Sequence, residues 1–438
     1  MENIEENQEN DKHDNYLIKE VDNKDIKEEL ISNIKYKNEL DHLKLKNKFN
    51  KYIISIILLV IFILVSFKDF PKSKYPSRLE SLKRMKKYMK QCFKGLLLNN
   101  NTNYQFNSSL TKITAVIPVY NCKNTIKAAV RSIQNQNMSD IEIFLVNDCS
   151  KDETPKIIEE MAKEDLRIKI INNKKNMGTL YSRSIGILNA KGKYIMNLDN
   201  DDLFMDSEVF NDLYNEAQDT NYDIIGFRAI EANNYDPLLP ETSNGFFHNL
   251  EDGLKVFQPE LTYFPYTKNG KVYPNDYHVW GRIVKTDVYV KSINNLGVNA
   301  LGEDRISQFL VWNEDTAATV SLFKYAQSYK FIHRFGIFHY MSKTTATNTR
   351  PDIENIYSDI FVLDMMFDFS DNNTKCKKFI VDRALEISTD RKLQIYCEKT
   401  ALLIKAVLKK MCECEYISEE DKNKLKESYN ITNINLEL

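Results

Sequence analysis

From Lys112 onward, short apolar runs alternate with helix-length amphipathic stretches, and this alternation constrains the fold more than any other feature of the chain. Ile113–Val119 reads as a buried strand, and Asn124 then sits where a side chain can cap a helix running through Gln136. Ile141–Val146 gives a second strand, followed by a helix opening at Thr154-Pro155, where proline suits the first helical position. A third strand over Arg167–Ile171, a helix over Thr179–Asn189 and a fourth strand over Tyr194–Leu198 complete the series. Strands separated by helices of about ten to fifteen residues form βαβ units, and their crossovers build a parallel sheet. A further helix near Glu208–Glu216 leads into the apolar stretch Asp223–Phe227. Beyond Pro237 the order loosens into a mixed region to Tyr340, after which amphipathic helices are predicted.

The end of the fourth strand carries an acidic run, Leu198-Asp199-Asn200-Asp201-Asp202. Ligands of open α/β sheets gather at the carboxyl ends of strands. Asp199 and Asp201 are two apart, so in extended chain both side chains leave the same face. Converging carboxylates repel unless a cation joins them, and Mg²⁺ or Mn²⁺ is held by one or two carboxylates plus substrate phosphates. Taken alone, the pair fits a solvated acidic turn better. Its position in the series is what points to a cation.

Residues 1–51 form a polar tail, acidic through about residue 30 and basic after it. Tyr52–Phe67 then carries no charge and is bracketed by Lys51 and Lys68. As a helix it reaches roughly 24 Å at ~1.5 Å per residue, short of an average bilayer core but long enough for a thin membrane with snorkelling lysines. A single transmembrane helix is therefore expected at 52–67, a stem at 68–110, and a basic amphipathic helix from Leu79 lying on the membrane surface. This architecture, with N-x-S/T sequons at Asn100, Asn107, Asn137, Asn372 and Asn430, predicts a type II protein of the Golgi or endoplasmic reticulum with a lumenal catalytic domain. The basic residues after the span do not favour that orientation and permit a cytosolic one. A net charge of -2 without a dense basic face argues against nucleic acid as a partner. The seven cysteines are too few and too irregular for a disulfide scaffold, and Cys412-Glu413-Cys414 lacks a second pair at zinc spacing.

Further features fall into line with the acidic run. Asn147-Asp148-Cys149-Ser150 follows the second strand, Asn176-Met177-Gly178 opens the helix bearing Ser182-Arg183-Ser184, and Gly192 turns into the fourth strand. As an ordered set, residues 112–345 resemble the family 2 glycosyltransferases of GT-A fold. Ala115–Asn121 is similar to their opening strand, Val146–Ser150 to V-D-D-G-S, Asn176–Gly192 to N-x-G…R-N…A-x-G, and Leu198–Asp202 to L-D-x-D-D. Two positions depart from the pattern: Asn147 replaces an Asp and Ser184 an Asn, and neither is expected to carry the chemistry. The resemblance implies an α/β GT-A domain over 111–345, Rossmann-like with a mostly parallel sheet flanked by helices, and a helical C-terminal region over 346–438.

Residue by residue, it implies that Pro118, Tyr120 and Asn121 lie along the nucleotide, that Asp148 accepts from a uracil ring nitrogen, and that Asp199 and Asn200 meet the donor ribose or the water shell of the metal. Asp201 is the implied direct ligand of Mn²⁺ or Mg²⁺, with Asp199 and His339 as further contacts. Arg183 either steadies the diphosphate or anchors its helix. Arg282, in Trp280-Gly281-Arg282, is a candidate phosphate or acceptor contact. Inverting transfer needs a general base for the acceptor hydroxyl, which the family draws from an E-D pair at a helix start. Glu314-Asp315 leads into small, apolar first turns and stands at the better distance from the strand ending at Tyr340, so Asp315 is preferred and Asp304 is the alternative.

The implied activity is hexosyl or N-acetylhexosaminyl transfer from a nucleotide-sugar donor to a glycan, glycoprotein or glycolipid at a membrane. A nucleotidyltransferase is disfavoured, because Val119-Tyr120-Asn121-Cys122-Lys123 lacks the glycine-rich loop such enzymes place after the first strand. An inactive scaffold and a cytosol-facing transferase to a lipid phosphate carrier are the remaining alternatives.

Overall fold

A computed structural model describes residues 75, 78–94, 111–232, 242–243, 266–268, 271–273, 278–310, 313–340, 352–389 and 398–430. The apolar run 52–67, expected to cross a membrane, lies outside the described residues. Among those described, no helix is long and apolar enough to do so. Residues Tyr75–Leu438 make one compact unit.

Helix α1 (Arg78–Phe93) precedes β1 (Ile113–Val119), α2 (Ile126–Gln134), β2 (Ile141–Asn147), α3 (Thr154–Glu164), β3 (Ile168–Asn172), α4 (Thr179–Leu188) and β4 (Tyr194–Asn197). The predicted alternation is thus present with boundaries shifted by one or two residues. Asn124 does not cap α2, which starts at Ile126 behind Thr125 with no side-chain cap bond. A two-residue strand β5 (Leu203–Phe204), α5 (Val209–Thr220) and β6 (Ile224–Ala232) follow. Short strands β7 (Thr242–Ser243), β8 (Tyr266–Lys268) and β9 (Lys271–Tyr273) lead to β10 (Arg282–Lys285), α6 (Thr286–Asn294), α7 (Glu314–Tyr325) and β11 (Tyr329–Tyr340). Four helices close the described chain: α8 (Asp352–Phe369), α9 (Thr374–Thr389), α10 (Glu398–Glu413) and α11 (Glu419–Asn430).

The main sheet runs β3-β2-β1-β4-β10-β6-β11-β5. β1 pairs in parallel with both β2 and β4, and β6 in parallel with β11. β10 lies antiparallel between β4 and β6, and β5 antiparallel on β11. Period-two alternation splits β1 between two cores. Ile113, Ala115, Ile117 and Val119 pack beneath α2, α3 and α5, while Val116 faces α4. Burial on both faces explains why β1 and β2 are apolar almost throughout.

Gly192 is needed at the entry to β4. A Cβ there would stand 2.5 Å from the Thr114 backbone nitrogen, while the glycine N–H donates to Thr114 Oγ1 at 2.9 Å. This close approach sets the start of β4, and hence where the acidic run emerges.

One face of the helix from Leu79 packs against the domain instead of lying free for a membrane surface. Ser81, Met85, Tyr88 and Cys92 are buried, Met85, Tyr88 and Cys92 sharing a cluster with Ala128 of α2, and Tyr88 OH donates to the Ser132 carbonyl at 2.8 Å. Glu80, Lys83, Arg84, Lys87 and Lys90 are left exposed. The C-terminal helices join the α4, α6 and α7 side of the sheet through one apolar cluster and one buried ionic network. In that network Arg305 donates to Asp364 at 2.7 Å and Asp368 at 2.5 Å, and Lys410 bonds the same two carboxylates.

Candidate active site

Parallel pairing brings the carboxyl ends of β1, β2 and β4 to one edge of the sheet. Tyr120, directly after β1, is 44% exposed, whereas every residue of the strand before it is buried. Asn121 takes a left-handed conformation (φ 46°) and accepts from the Lys151 N–H at 2.7 Å, so its side chain ties the β1 turn to the β2 turn. Cys149 is also left-handed (φ 63°), at the position where the resembled V-D-D-G-S pattern has glycine. Asn147 accepts from the Ser150 N–H at 3.1 Å and donates to Asn172 at 2.8 Å, which gives this departure from the pattern a role in shaping the turn.

Asp148 is nearly buried and holds the Asn176–Gly178 loop. Its Oδ1 accepts from Asn173 Nδ2 and from the Met177 N–H, and its Oδ2 from the Gly178 N–H, each at 2.8 Å. A carboxylate has about four acceptor directions, so one remains on Asp148 for a ring N–H.

The acidic run is anchored at three of its residues. Asn200 donates to the Pro118 carbonyl at 3.0 Å, which fastens the loop to β1. Asp202 is fully buried and accepts from the Tyr340 N–H at 2.9 Å and from His339 Nδ1 at 3.0 Å. Asp199 accepts from Arg183 Nη2 at 2.5 Å. The other terminal nitrogen of Arg183, Nη1, bonds Asp315 Oδ1. A single buried guanidinium thus joins the acidic loop to the first turn of α7. Burial opposes the charge on Arg183, but Asp315, Asp199 and Glu314 outweigh it and hold the group above its ordinary pKa. Arg183 Nε is buried with no partner among the described residues.

The two candidate bases have different surroundings. Asp315 lies in the first turn of α7, its side chain 21% exposed and joined to Arg183. Asp304 is exposed and caps a single 3₁₀ turn, accepting from the Ile306 N–H at 3.3 Å and the Ser307 hydroxyl at 2.8 Å. The structure brings Asp315 to the acidic loop and leaves Asp304 on the surface.

Burial pushes the Asp201 carboxyl up to about 7, with Asp202 and Asp199 adding repulsion and His339 pulling the other way. Burial disfavours the His339 cation, but Asp202, Asp199 and Asp201 raise the imidazole to about 9. Crowded carboxylates of this kind fit a divalent cation. Among the described residues no three His, Cys, Asp or Glu side chains are grouped to hold a metal by themselves. With Nδ1 bonded to Asp202, Nε2 is the ring nitrogen that could ligate a cation, once it gives up the proton these carboxylates hold on the ring.

His339 is also set by its ring contacts. Trp280 stacks on it at 4.6 Å between centroids and on His278 at 4.4 Å, and the two imidazoles lie 6.4 Å apart. Arg282, expected to meet phosphate or acceptor, is instead 1% exposed in β10, where it bonds Thr319 at 3.2 Å and lies over the Phe323 ring. The antiparallel insertion of β10 between β4 and β6 places it inside the sheet. Sequence reasoning assigned no role to Asp202, Asn173 or Asn313. The last acidic residue of the run was the available signal for Asp202.

Residues 114–274 match the family model described as Glycosyl transferase family 2. Among curated proteins, the uncharacterized glycosyltransferase EpsJ of Bacillus subtilis is 39% identical over 114 residues, covering 26% of this chain and 33% of its own length. Glycosyltransferase GlyA of Streptococcus pneumoniae is 28% identical over 207 residues, covering 44% of this chain and 27% of its own. The chain thus spans about a third or less of these relatives. Among solved structures, S. aureus TarS 1-349 in complex with UDP-GlcNAc has a TM-score of 0.51 at 14% identity, covering 73% of this chain and 90% of that one. At that identity the likeness speaks to fold alone, which is α/β and GT-A-like.

Proposed function

We propose that the chain is a metal-dependent, inverting glycosyltransferase that moves one sugar from a UDP-sugar to a hydroxyl of a glycan, glycoprotein or glycolipid. The observation that carries this reading is Arg183, which couples Asp199 of a D-x-D loop to Asp315 at a helix start, at the carboxyl edge of a GT-A-like sheet. The UDP-GlcNAc named in the TarS complex makes UDP-sugars the first donors to test.

The ring of Tyr120 gives a base a flat surface to lie on, and Asp148 keeps one acceptor direction for its ring N–H. Asp201 and Asp199, with His339 Nε2 as a further donor, would hold Mn²⁺ or Mg²⁺. Such an ion supplies the positive charge that a departing diphosphate needs. The ion pair with Arg183 engages Asp315 Oδ1 and leaves Oδ2 to take a proton. As the acceptor oxygen attacks the anomeric carbon, the bond to the diphosphate breaks with its electrons, and the hydroxyl proton passes to Asp315. Attack opposite the leaving group inverts the anomeric centre.

Release of UDP from a panel of UDP-sugars, with and without Mn²⁺, tests the reading. Asp315→Asn should abolish turnover and preserve Mn²⁺-dependent UDP binding, whereas Asp201→Asn should weaken that binding. A folded chain that turns over no donor would favour an inactive scaffold. The uncharged sixteen-residue run Tyr52–Phe67 supports a membrane anchor for the enzyme. Protease protection of the C-terminal unit in sealed microsomes reports which side it occupies.

A further inference from the structure

The first turn of α7 begins from a backbone outlier. Asn313, immediately before Glu314, has φ 58° and ψ 14°, a left-handed conformation that costs most residues with a Cβ roughly 1 kcal/mol or more and asparagine less, through its local side-chain hydrogen bonds. Five non-glycine residues with positive φ occur among the described residues, and three of them, Asn121, Cys149 and Asn313, border the candidate site. An outlier of this kind persists when its surroundings over-determine it. Here they do so from the C-terminal helices: Asn313 Nδ2 donates to Asp359 of α8. The same side chain accepts from the Thr316 hydroxyl at 3.2 Å, and the Asn313 carbonyl accepts from the Ala317 N–H at 3.0 Å. Asp315 lies two residues after this residue and contacts Arg183 from there.

We propose that Asp359 is a positioning residue. By gripping Asn313 in its left-handed conformation, it fixes the direction in which α7 starts and so places Asp315 against Arg183. This gives the C-terminal helical region a part in catalysis, and it rests on the reading of Asp315 as the base. The surrounding contacts support a bracing role. Gln308 accepts from Tyr357 OH of α8 at 3.0 Å and from Lys399 of α10 at 2.9 Å, and Lys324 at the far end of α7 donates to the Phe369 carbonyl at 2.9 Å. The segment carrying Asp315 is therefore held from the C-terminal side at both ends.

The test compares variants of the full chain in UDP release from UDP-GlcNAc with Mn²⁺ and, separately, in calorimetric binding of UDP with Mn²⁺. Asp359→Leu should lower kcat at least tenfold while the Kd for UDP stays within twofold of the parent. Adding Asn313→Gly to that variant should restore kcat to within about threefold, because glycine takes the left-handed conformation without a partner. Adding Asn313→Ala should not. If Asp359→Leu does not fold, the pair Asn313→Gly and Asn313→Ala in the parent carries the same contrast. Hydrogen exchange at the start of α7, read on the same proteins without any donor, should rise in Asp359→Leu and fall back with Asn313→Gly. A parent-level kcat in Asp359→Leu, an equal fall in kcat and UDP affinity, or failure of glycine to rescue would overturn the proposal. Retention of turnover in Asp315→Asn would instead overturn the reading of the base, which keeps the two failures apart.

Discussion

Arg183→Met keeps most of the side-chain volume and removes the charge that Asp199 and Asp315 share. Deleting one partner of a fully buried pair costs about 3–5 kcal/mol, since the other charge is left unneutralised in a poor solvent. Here the two carboxylates are 25% and 21% exposed, so water returns part of that cost. The expected loss is ~2–3 kcal/mol of unfolding free energy. Urea unfolding of the full chain measures it as a fall in midpoint at unchanged slope. On the proposed metal reading, Mn²⁺ would supply the missing positive charge and should stabilise Arg183→Met more than the parent. The loss should shrink below about 1 kcal/mol when Arg183→Met is made in an Asp199→Asn, Asp315→Asn background, because no carboxylate is then stranded. A loss under ~0.5 kcal/mol, or one unaffected by that background, would show that the bridge does not hold these segments together.

Three further outcomes follow from named contacts. Asp364→Ala leaves the buried Arg305 paired with the part-exposed Asp368 alone, and should cost less than the ~3–5 kcal/mol of a wholly stranded charge by chemical denaturation, with UDP affinity unchanged in the protein that remains folded. Burial pushes the Asp359 carboxyl up to about 6, against the pull of Asn313 and Arg383. The folded state therefore keeps that proton to a higher pH than the unfolded chain, and stability falls as pH rises from about 4 to 6. Asp359→Asn should remove this slope, matching the parent near pH 4 and exceeding it by of order 1–3 kcal/mol at pH 7.5 in urea midpoints. Tyr120→Ala removes the exposed ring at the end of β1, and loss of base stacking worth about 1–3 kcal/mol should weaken Mn²⁺-dependent UDP binding roughly tenfold by calorimetry.

The parallel half of the sheet was legible because its strands are buried on both faces, so Ile113–Val119 and Ile141–Val146 stand out as apolar runs against the helices between them. The acidic loop was legible for the same reason, since it follows such a run. The pattern was ambiguous wherever one periodicity serves two environments. The face Ser81, Met85, Tyr88 and Cys92 suits a bilayer surface as well as it suits α2, and only the tertiary structure distinguishes them. Arg282 misled in the opposite way. The resemblance places Trp280-Gly281-Arg282 in a loop near the sugar, but β10 runs antiparallel inside the sheet and buries Arg282 against Thr319 and Phe323. Arg183 could be noticed in the sequence, but its partner Asp315 lies 132 residues further on, and nothing local to either residue specifies the pairing. Asp315 was favoured over Asp304 from the apolar turns that follow it, and those turns do pack in the core.

The loop between β4 and β5 joins strands with three others between them in the sheet, and it does so with little slack. Asp199 is committed to α4, Asn200 to β1 and Asp202 to β11, so three neighbouring letters of the sequence each maintain a separate piece of architecture. Such a segment is constrained twice over, by the proposed chemistry and by assembly. A descendant that had abandoned transfer would still be under selection to keep D-N-x-D, so survival of that signature in a divergent homologue reports an intact scaffold and is not by itself proof of turnover.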